Sequence, residues 1–222
     1  ISDILHYMGI TRRLINRRKS LILGYHHIIP EKDIRYKIIE PGMYVTTETF
    51  EMHIDYLSSY YNWGTLDELV TEGNVEGKCY ITFDDGWSDN YEYAYPILKK
   101  YSIPATIFIS TNHINNNHWP WPERFFYYAY KASPDMFKDL NKLIGMVLSQ
   151  NCIPFQMNHK FNNSHKIAQY IVSVFKELEN NILVDLMEDI DDFMSPIYDD
   201  IGNIKPFLTG NQIKEMSENK II

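Results

Sequence analysis

Cysteine is scarce in this sequence: Cys79 and Cys152 are the only two among 222 residues. Two isolated cysteines make no disulfide framework, and no Cys-x-x-Cys pair marks a zinc or redox motif. Cys79 sits in an apolar strand pattern and reads as a small buried hydrophobe rather than a nucleophile. No G-x-G-x-x-G follows a strand pattern, which argues against a Rossmann dinucleotide fold. No Asp-x-Asp-x-Asp-Gly calcium loop and no His-x-x-x-His pair occur. No apolar run has the length of a bilayer span, and the first residues lack the apolar core and cleavage site of a secretory signal. Positive charge is also in deficit. With 21 Lys and Arg against 29 Asp and Glu, the net charge of −8 argues against a nucleic-acid binder.

What remains is an ordinary globular composition, 45% hydrophobic and 23% charged, with enough chain for one large or two small domains. Aromatics reach 14%, including 17 tyrosines, which suits core packing and sugar-binding surfaces alike. The basic residues Arg12, Arg13, Arg17, Arg18 and Lys19 cluster near the start. They read first as a solvated helix face and second as a patch for weak contact with a membrane surface. The compartment stays open: cytoplasmic by default, with the cell envelope or secretion as alternatives, since a processed chain would look the same.

"SLILGYHHI" (20–28), "KCYITF" (78–83) and "PATIFIS" (104–110) read as buried strands. Between them, Thr46 or Thr47 opens a helix with Phe50, Ile54 and Leu57 on one face, and Thr65 with Glu68 forms a capping box. Residues 88–101 read as one helix along Tyr91, Ala94, Tyr95 and Leu98. Strand, helix, strand with short connections predicts an α/β fold with parallel pairing. Residues 121–200 abandon this alternation for long helical patterns, which predicts a helical insertion. Its acidic run (Asp185, Glu188, Asp189, Asp191, Asp192, Asp199, Asp200) reads as a solvated face. Thr209 with Gln212 caps a last helix, and "NKII" (219–222) reads as the start of another strand, so the chain is expected to stop inside a fold.

The chemically distinctive point is "TFDDG" (82–86). Asp84 and Asp85 end an apolar strand, where like charges repel and carboxylates lose water. A plain turn could use Asn-Gly instead. In parallel α/β barrels the C-terminal strand ends meet around one mouth, where active sites lie. Because successive residues point to opposite sides, one acid can face a metal and the other a reacting water. The bland alternative is an acidic strand-to-helix turn. It loses ground because the pair follows an apolar strand, precedes Trp87 and is followed by "IPATIF" at crossover distance.

"TFDDG", the helix ending in "PILKKYSIPATIFIS" (96–110) and the upstream "LGYHHI" (23–28) resemble the polysaccharide deacetylase family, also known as the nodulation-type chitooligosaccharide deacetylase homology domain. The resemblance implies hydrolysis of acetyl groups, N- or O-linked, on an oligo- or polysaccharide. It further implies a deformed (β/α) barrel with about seven strands when complete. Asp84 would be the general base, and Asp85 would ligate a divalent metal, commonly zinc, together with two histidines of a later His-x-x-x-His. That motif is missing here, as are the later arginine, proline and histidine elements. The chain is therefore expected to be the N-terminal part of such a domain and inactive by itself, with 1–114 barrel, 115–204 helical insertion and 205–222 a return to the barrel.

Other candidates are weaker. His26 ends the first strand and is expected to touch substrate or support the site, whereas His27 points the other way. Trp119 and Trp121 are expected either to stack on a sugar ring or to anchor the helical part. His113 and His118 read as part of an Asn-rich solvated loop, and His53, His159 and His165 as surface residues. A competing class is a non-catalytic carbohydrate-binding or scaffold domain on the same barrel. Phosphoryl transfer through Asp84 fits poorly, because Gly86 stands where the second acid of that chemistry usually lies.

Overall fold

The structure, a computed structural model, describes residues 19–73, 76–115, 118–155, 164–200, 204–219 and 221. It divides into two compact units: Ile1–Pro30 with Tyr44–Asn116 and Phe207–Ile222, and Glu31–Met43 with Asn117–Pro206. The basic cluster at residues 12, 13, 17 and 18 and the histidine at 159 lie outside the described residues. Among those described, no helix is long and apolar enough to cross a membrane.

The first unit is α/β around a parallel sheet. Its strands are β1 (Leu21–Tyr25), β2 (His27–Ile28), β3 (Tyr44–Val45), β4 (Asn62–Trp63), β5 (Lys78–Phe83) and β6 (Thr106–Ile107). The apolar run of β5 makes it the central strand, buried from Cys79 to Phe83. β1 lies along one edge, with Leu21 opposite Cys79 and Tyr25 opposite Phe83. The other edge is shared by β4 near Lys78 and β6 near Phe83, and all three pairings are parallel. β2 leaves this sheet to pair in parallel with β3.

Two predicted strands are cut short. The first breaks at His26, because the Tyr25 carbonyl takes the Asp84 N–H as the last rung beside β5. The third keeps only Thr106–Ile107 as ladder, followed by a single bond from Phe108 N–H to the Phe83 carbonyl. Beyond Phe83 the central strand turns away, so residues 109 and 110 have no ladder to join.

The crossover helices begin where their caps dictate. α1 (Thr47–Ser58) is capped by Thr46, whose hydroxyl accepts the Thr49 N–H at 3.1 Å. α2 (Leu66–Glu72) carries the expected capping box between Thr65 and Glu68. The predicted helix over 88–101 contains a wide π-helical turn, Asn90–Ala94, before α3 (Tyr95–Tyr101). Pro96 has no N–H to donate, and the Tyr95 N–H reaches back five residues to the Asn90 carbonyl. Phe50 and Ile54 from α1, Ile81 and Phe83 from β5, and Ala94 and Leu98 beyond the acids form one core with Tyr25. Tyr25 meets Phe50 edge-on, with ring centroids 5.2 Å apart. Cys79 is buried in the sheet, and burial pushes its thiol up to about 12, as expected of an inert core residue.

His53 is half-buried rather than on the surface, and its Nδ1 lies in hydrogen-bond contact with the Tyr25 hydroxyl at 3.0 Å. Burial holds its pKa below the usual histidine value, and His165 is lowered for the same first reason. The unfolded chain therefore takes up protons as pH falls below about 6.5, while these folded histidines still resist them. The urea midpoint is expected to drop between pH 7.5 and 5.5, above the range where lowered carboxylates titrate. His53→Gln, which can still hydrogen-bond Tyr25 but does not titrate, should flatten part of that drop. A midpoint that rises on acidification would show that other groups govern this window.

The second unit is helical: α4 (Trp121–Lys131), α5 (Pro134–Gln150), α6 (Ser164–Phe175) and α7 (Asn180–Met194), with a short turn of helix at Arg35–Ile38. Residues Phe125 to Ala129 are all buried, so the middle of α4 is covered on every side. The acidic run of α7 is not uniformly solvated. Asp191 turns inward, accepting the Tyr128 hydroxyl at 2.7 Å and lying 3.1 Å from Arg124 Nη2. Asp185, Glu188, Asp189 and Asp192 are exposed as expected.

Candidate active site

The two aspartates follow directly on the last residue of the central strand. The Asp84 N–H donates to the Tyr25 carbonyl at 2.9 Å, which ties the first acid to the end of β1. The chain then reverses within three residues: the Gly86 N–H donates back to the Asp84 carbonyl at 2.9 Å. Asp85, at the centre of this γ-turn, has φ +70°. A non-glycine residue in that region is strained, and such strain gathers where a side chain must be aimed. Gly86 continues at φ +78°, where a Cβ would meet Ile109 Cγ2 at 3.2 Å. The turn is braced from a distant segment, with the Leu208 N–H bonded to the Gly86 carbonyl and Trp87 bridged to Phe207.

Both acids are partly exposed, and their neighbours are specific. Asp85 Oδ2 accepts the Trp87 indole N–H at 3.3 Å, and His26 Nε2 stands 3.9 Å from the same oxygen. The Asp85 and His26 side chains remain 42% and 33% exposed, so a solute has access to both. His26 thus stands beside Asp85. His27 does turn the other way. Its Nδ1 lies 2.7 Å from Asp89 Oδ2, with both side chains 1% exposed.

Below the acids lies a column of rings. His27 packs on Trp87 at 4.2 Å between centroids, Trp87 on Phe207 at 4.7 Å, and Phe207 on His113 at 4.2 Å. His113 is therefore a packed residue rather than part of a solvated loop, because Phe207 covers its ring. His118 is exposed.

Trp119 and Trp121 belong to the helical unit. Trp119, expected as a stacking platform, is 1% exposed, and its indole N–H donates to the Ile204 carbonyl at 3.0 Å. It presents no ring face to a saccharide and serves packing. Trp121 is half-buried against Phe175 and lines a cleft of about 310 Å³ with Arg124, Met187 and Asp191.

Among the described residues no three His, Cys, Asp or Glu side chains converge as a metal site. Asp85, with His26 at 3.9 Å, is a partial set that does not by itself fit a three-ligand metal centre. Sequence reasoning missed Asp89 and the Phe207–Leu208 brace altogether. An acid at the start of a helix carries no signal of burial, and Phe207 lies 120 positions beyond Trp87 in the chain.

Comparison with known proteins bears on the same stretch. Residues 71–144 match the family model described as polysaccharide deacetylase. The poly-beta-1,6-N-acetyl-D-glucosamine N-deacetylase of Staphylococcus epidermidis is 37% identical over 117 residues, covering 46% of this chain and 40% of that protein. The Bacillus subtilis protein YxkH is 38% identical over 106 residues, covering 45% of this chain and 35% of that protein. Among solved structures, IcaB from Ammonifex degensii is 25% identical with a TM-score of 0.38, covering 49% of this chain and 47% of that one. The chain thus spans less than half the length of each of these relatives. The span matched by the family model contains Asp84 and Asp85 but begins after His26.

Proposed function

We propose that this chain, a member of the polysaccharide deacetylase family through residues 71–144, carries the acid turn of a hydrolase that removes acetyl groups from a carbohydrate. The observation behind this reading is the strained turn at Asp85. It holds two accessible carboxylates at the end of a central parallel strand, the position where α/β sheets collect their reacting groups. The relatives named as acting on poly-beta-1,6-N-acetyl-D-glucosamine make an N-acetylated glucosamine polymer the first substrate to try. The four parallel strands are read as an arc of a deformed barrel of about seven strands. On that reading, residues 1–114, apart from 31–43, which group with the helical unit, and 205–222 are barrel, and 115–204 are a helical insertion.

In this reading Asp84 is the general base. Water adds to the acetyl carbonyl carbon and gives its proton to Asp84. The bond from that carbon to the sugar nitrogen or oxygen then breaks, and acetate departs as the saccharide group takes up a proton. Asp85 is held apart from that task by the turn and by the Trp87 N–H, and is the ligand this chain would offer a divalent cation. The described residues do not complete such a site, so no step is derived through the metal. His26 is proposed to contact substrate beside the acids, and Trp121 to stack on saccharide within its own cleft.

The test is acetate release from N-acetylated β-1,6-glucosamine oligomers by the intact protein, with O-acetylated oligomers as a parallel arm. Activity lost on chelation and restored by a divalent cation supports the reading. Saccharide binding without any acetate release, at any cation concentration, would replace it with the non-catalytic carbohydrate-binding alternative.

A further inference from the structure

We infer that Asp89 is a positioning residue for Asp85, acting through the two groups that touch Asp85 Oδ2; this rests on the proposed role of the acid turn. Asp89 is 1% exposed, and a carboxylate so deep in a fold must be satisfied on several sides. Its Oδ2 accepts from His27 Nδ1 at 2.7 Å, and its Oδ1 accepts the Ile28 N–H at 2.9 Å and the Asn90 Nδ2–H at 3.3 Å. Asn90 Nδ2 also donates to the His26 carbonyl at 2.9 Å. Two adjacent residues at the start of the helix thus grip three successive residues, His26 to Ile28, more than sixty positions upstream.

The consequences converge on one oxygen. Gripping the backbone at the His26 carbonyl and just beyond it restricts where Nε2 stands, 3.9 Å from Asp85 Oδ2. The bond to Asp89 orients the His27 ring, which packs on Trp87 at 4.2 Å, with Phe207 stacked against the indole at 4.7 Å. The Trp87 indole is thereby held with its N–H on the same Oδ2 at 3.3 Å. Asp85 sits at φ +70° and has no regular secondary structure to hold it, so these two contacts define where its carboxylate lies. The wide π-helical turn that begins at Asn90 shapes the backbone on which the clamp stands. A buried polar cluster serving stability alone would need no path to Oδ2. Here both paths from Asp89 end there.

The experiment uses the intact protein and Asp89→Asn, which is isosteric and can still accept the Ile28 N–H. Two quantities are read: kcat and KM for acetate release, and the NMR resonance of the Trp87 indole N–H, assigned with Trp87→Phe. A folded Asp89→Asn protein should lose about 10- to 100-fold in kcat with KM nearly unchanged, as expected when an orienting partner is removed. The indole resonance should move toward its position in Asp85→Asn. Wild-type kcat, or an indole resonance that stays in place, would overturn the inference. If the wild-type protein releases no acetate, the proposed function falls, and the indole resonance alone decides for or against Asp89. If Asp89→Asn does not fold, Asn90→Ala frees the His26 carbonyl and removes the long contact to Asp89 Oδ1 while leaving the Asp89 bonds to His27 and Ile28, and it is judged by kcat and the His26 ring resonances under the same criteria.

Discussion

Asp84→Asn in the intact protein is expected to lower kcat for acetate release by about a hundredfold to ten-thousandfold, the usual contribution of a positioned general base. The substitution is well controlled by the structure. The bonds that hold residue 84 in place, from its N–H to the Tyr25 carbonyl and from the Gly86 N–H to its own carbonyl, are main-chain bonds that Asn keeps. Folding and the β1–β5 ladder should be unchanged, so the loss would report the missing proton acceptor. Asp85 needs a different choice. At φ +70° asparagine and aspartate bear the strain better than other non-glycine residues, so Asp85→Ala would mix lost chemistry with a still more strained turn. Asp85→Asn keeps the turn. It should depress activity as severely, and should weaken the dependence on added cation in a way that Asp84→Asn does not. An Asp84→Asn protein with more than a tenth of wild-type kcat would remove Asp84 from the role of base.

Phe83→Ala is expected to cost about 3–5 kcal/mol of folding stability, measured as a shift in the urea transition of the first unit. Phe83 is the last ladder residue of β5, fully buried, opposite Tyr25 on one edge and Ile107 on the other. Its ring meets those of Tyr25 and Phe50 at 5.8 and 5.9 Å, so truncation would empty the centre of a cluster that three elements share. Phe108, one residue past Ile107, the β6 partner of Phe83, and 53% exposed, supplies the control: Phe108→Ala should stay within about 0.5 kcal/mol of wild type. A Phe83→Ala loss under about 1 kcal/mol would mean that the core closes over the gap, contrary to the close packing around this ring. Because Phe83 immediately precedes Asp84, the variant should also lose acetate release at temperatures where it is still folded, through displacement of the acids.

The cap at Thr65, the buried run of β5 and the parallel pairing were legible in the sequence because each rests on interactions within a few residues, or on an alternation that a short window contains. The Asp-Asp-Gly turn was legible for the same reason: two charges and a glycine at the end of an apolar strand are a local anomaly. The tertiary structure alone decided what surrounds them. His27 meets Asp89 across 62 positions, and Trp87 meets Phe207 across 120, and no local pattern announces either contact. Trp119 and His113 carried side chains suited to a binding surface, and both were assigned to packing by neighbours distant in the chain, Ile204 and Phe207. Residues 31–43 follow a barrel-like strand in the sequence yet pack with the helical unit, since helix packing is set by which apolar faces meet rather than by chain order. Residue types and short-range hydrogen bonds determined that acids stand at a strand end. The positive φ of Asp85 and the convergence of His26 and Trp87 on one of its oxygens arise only when distant segments close around the turn.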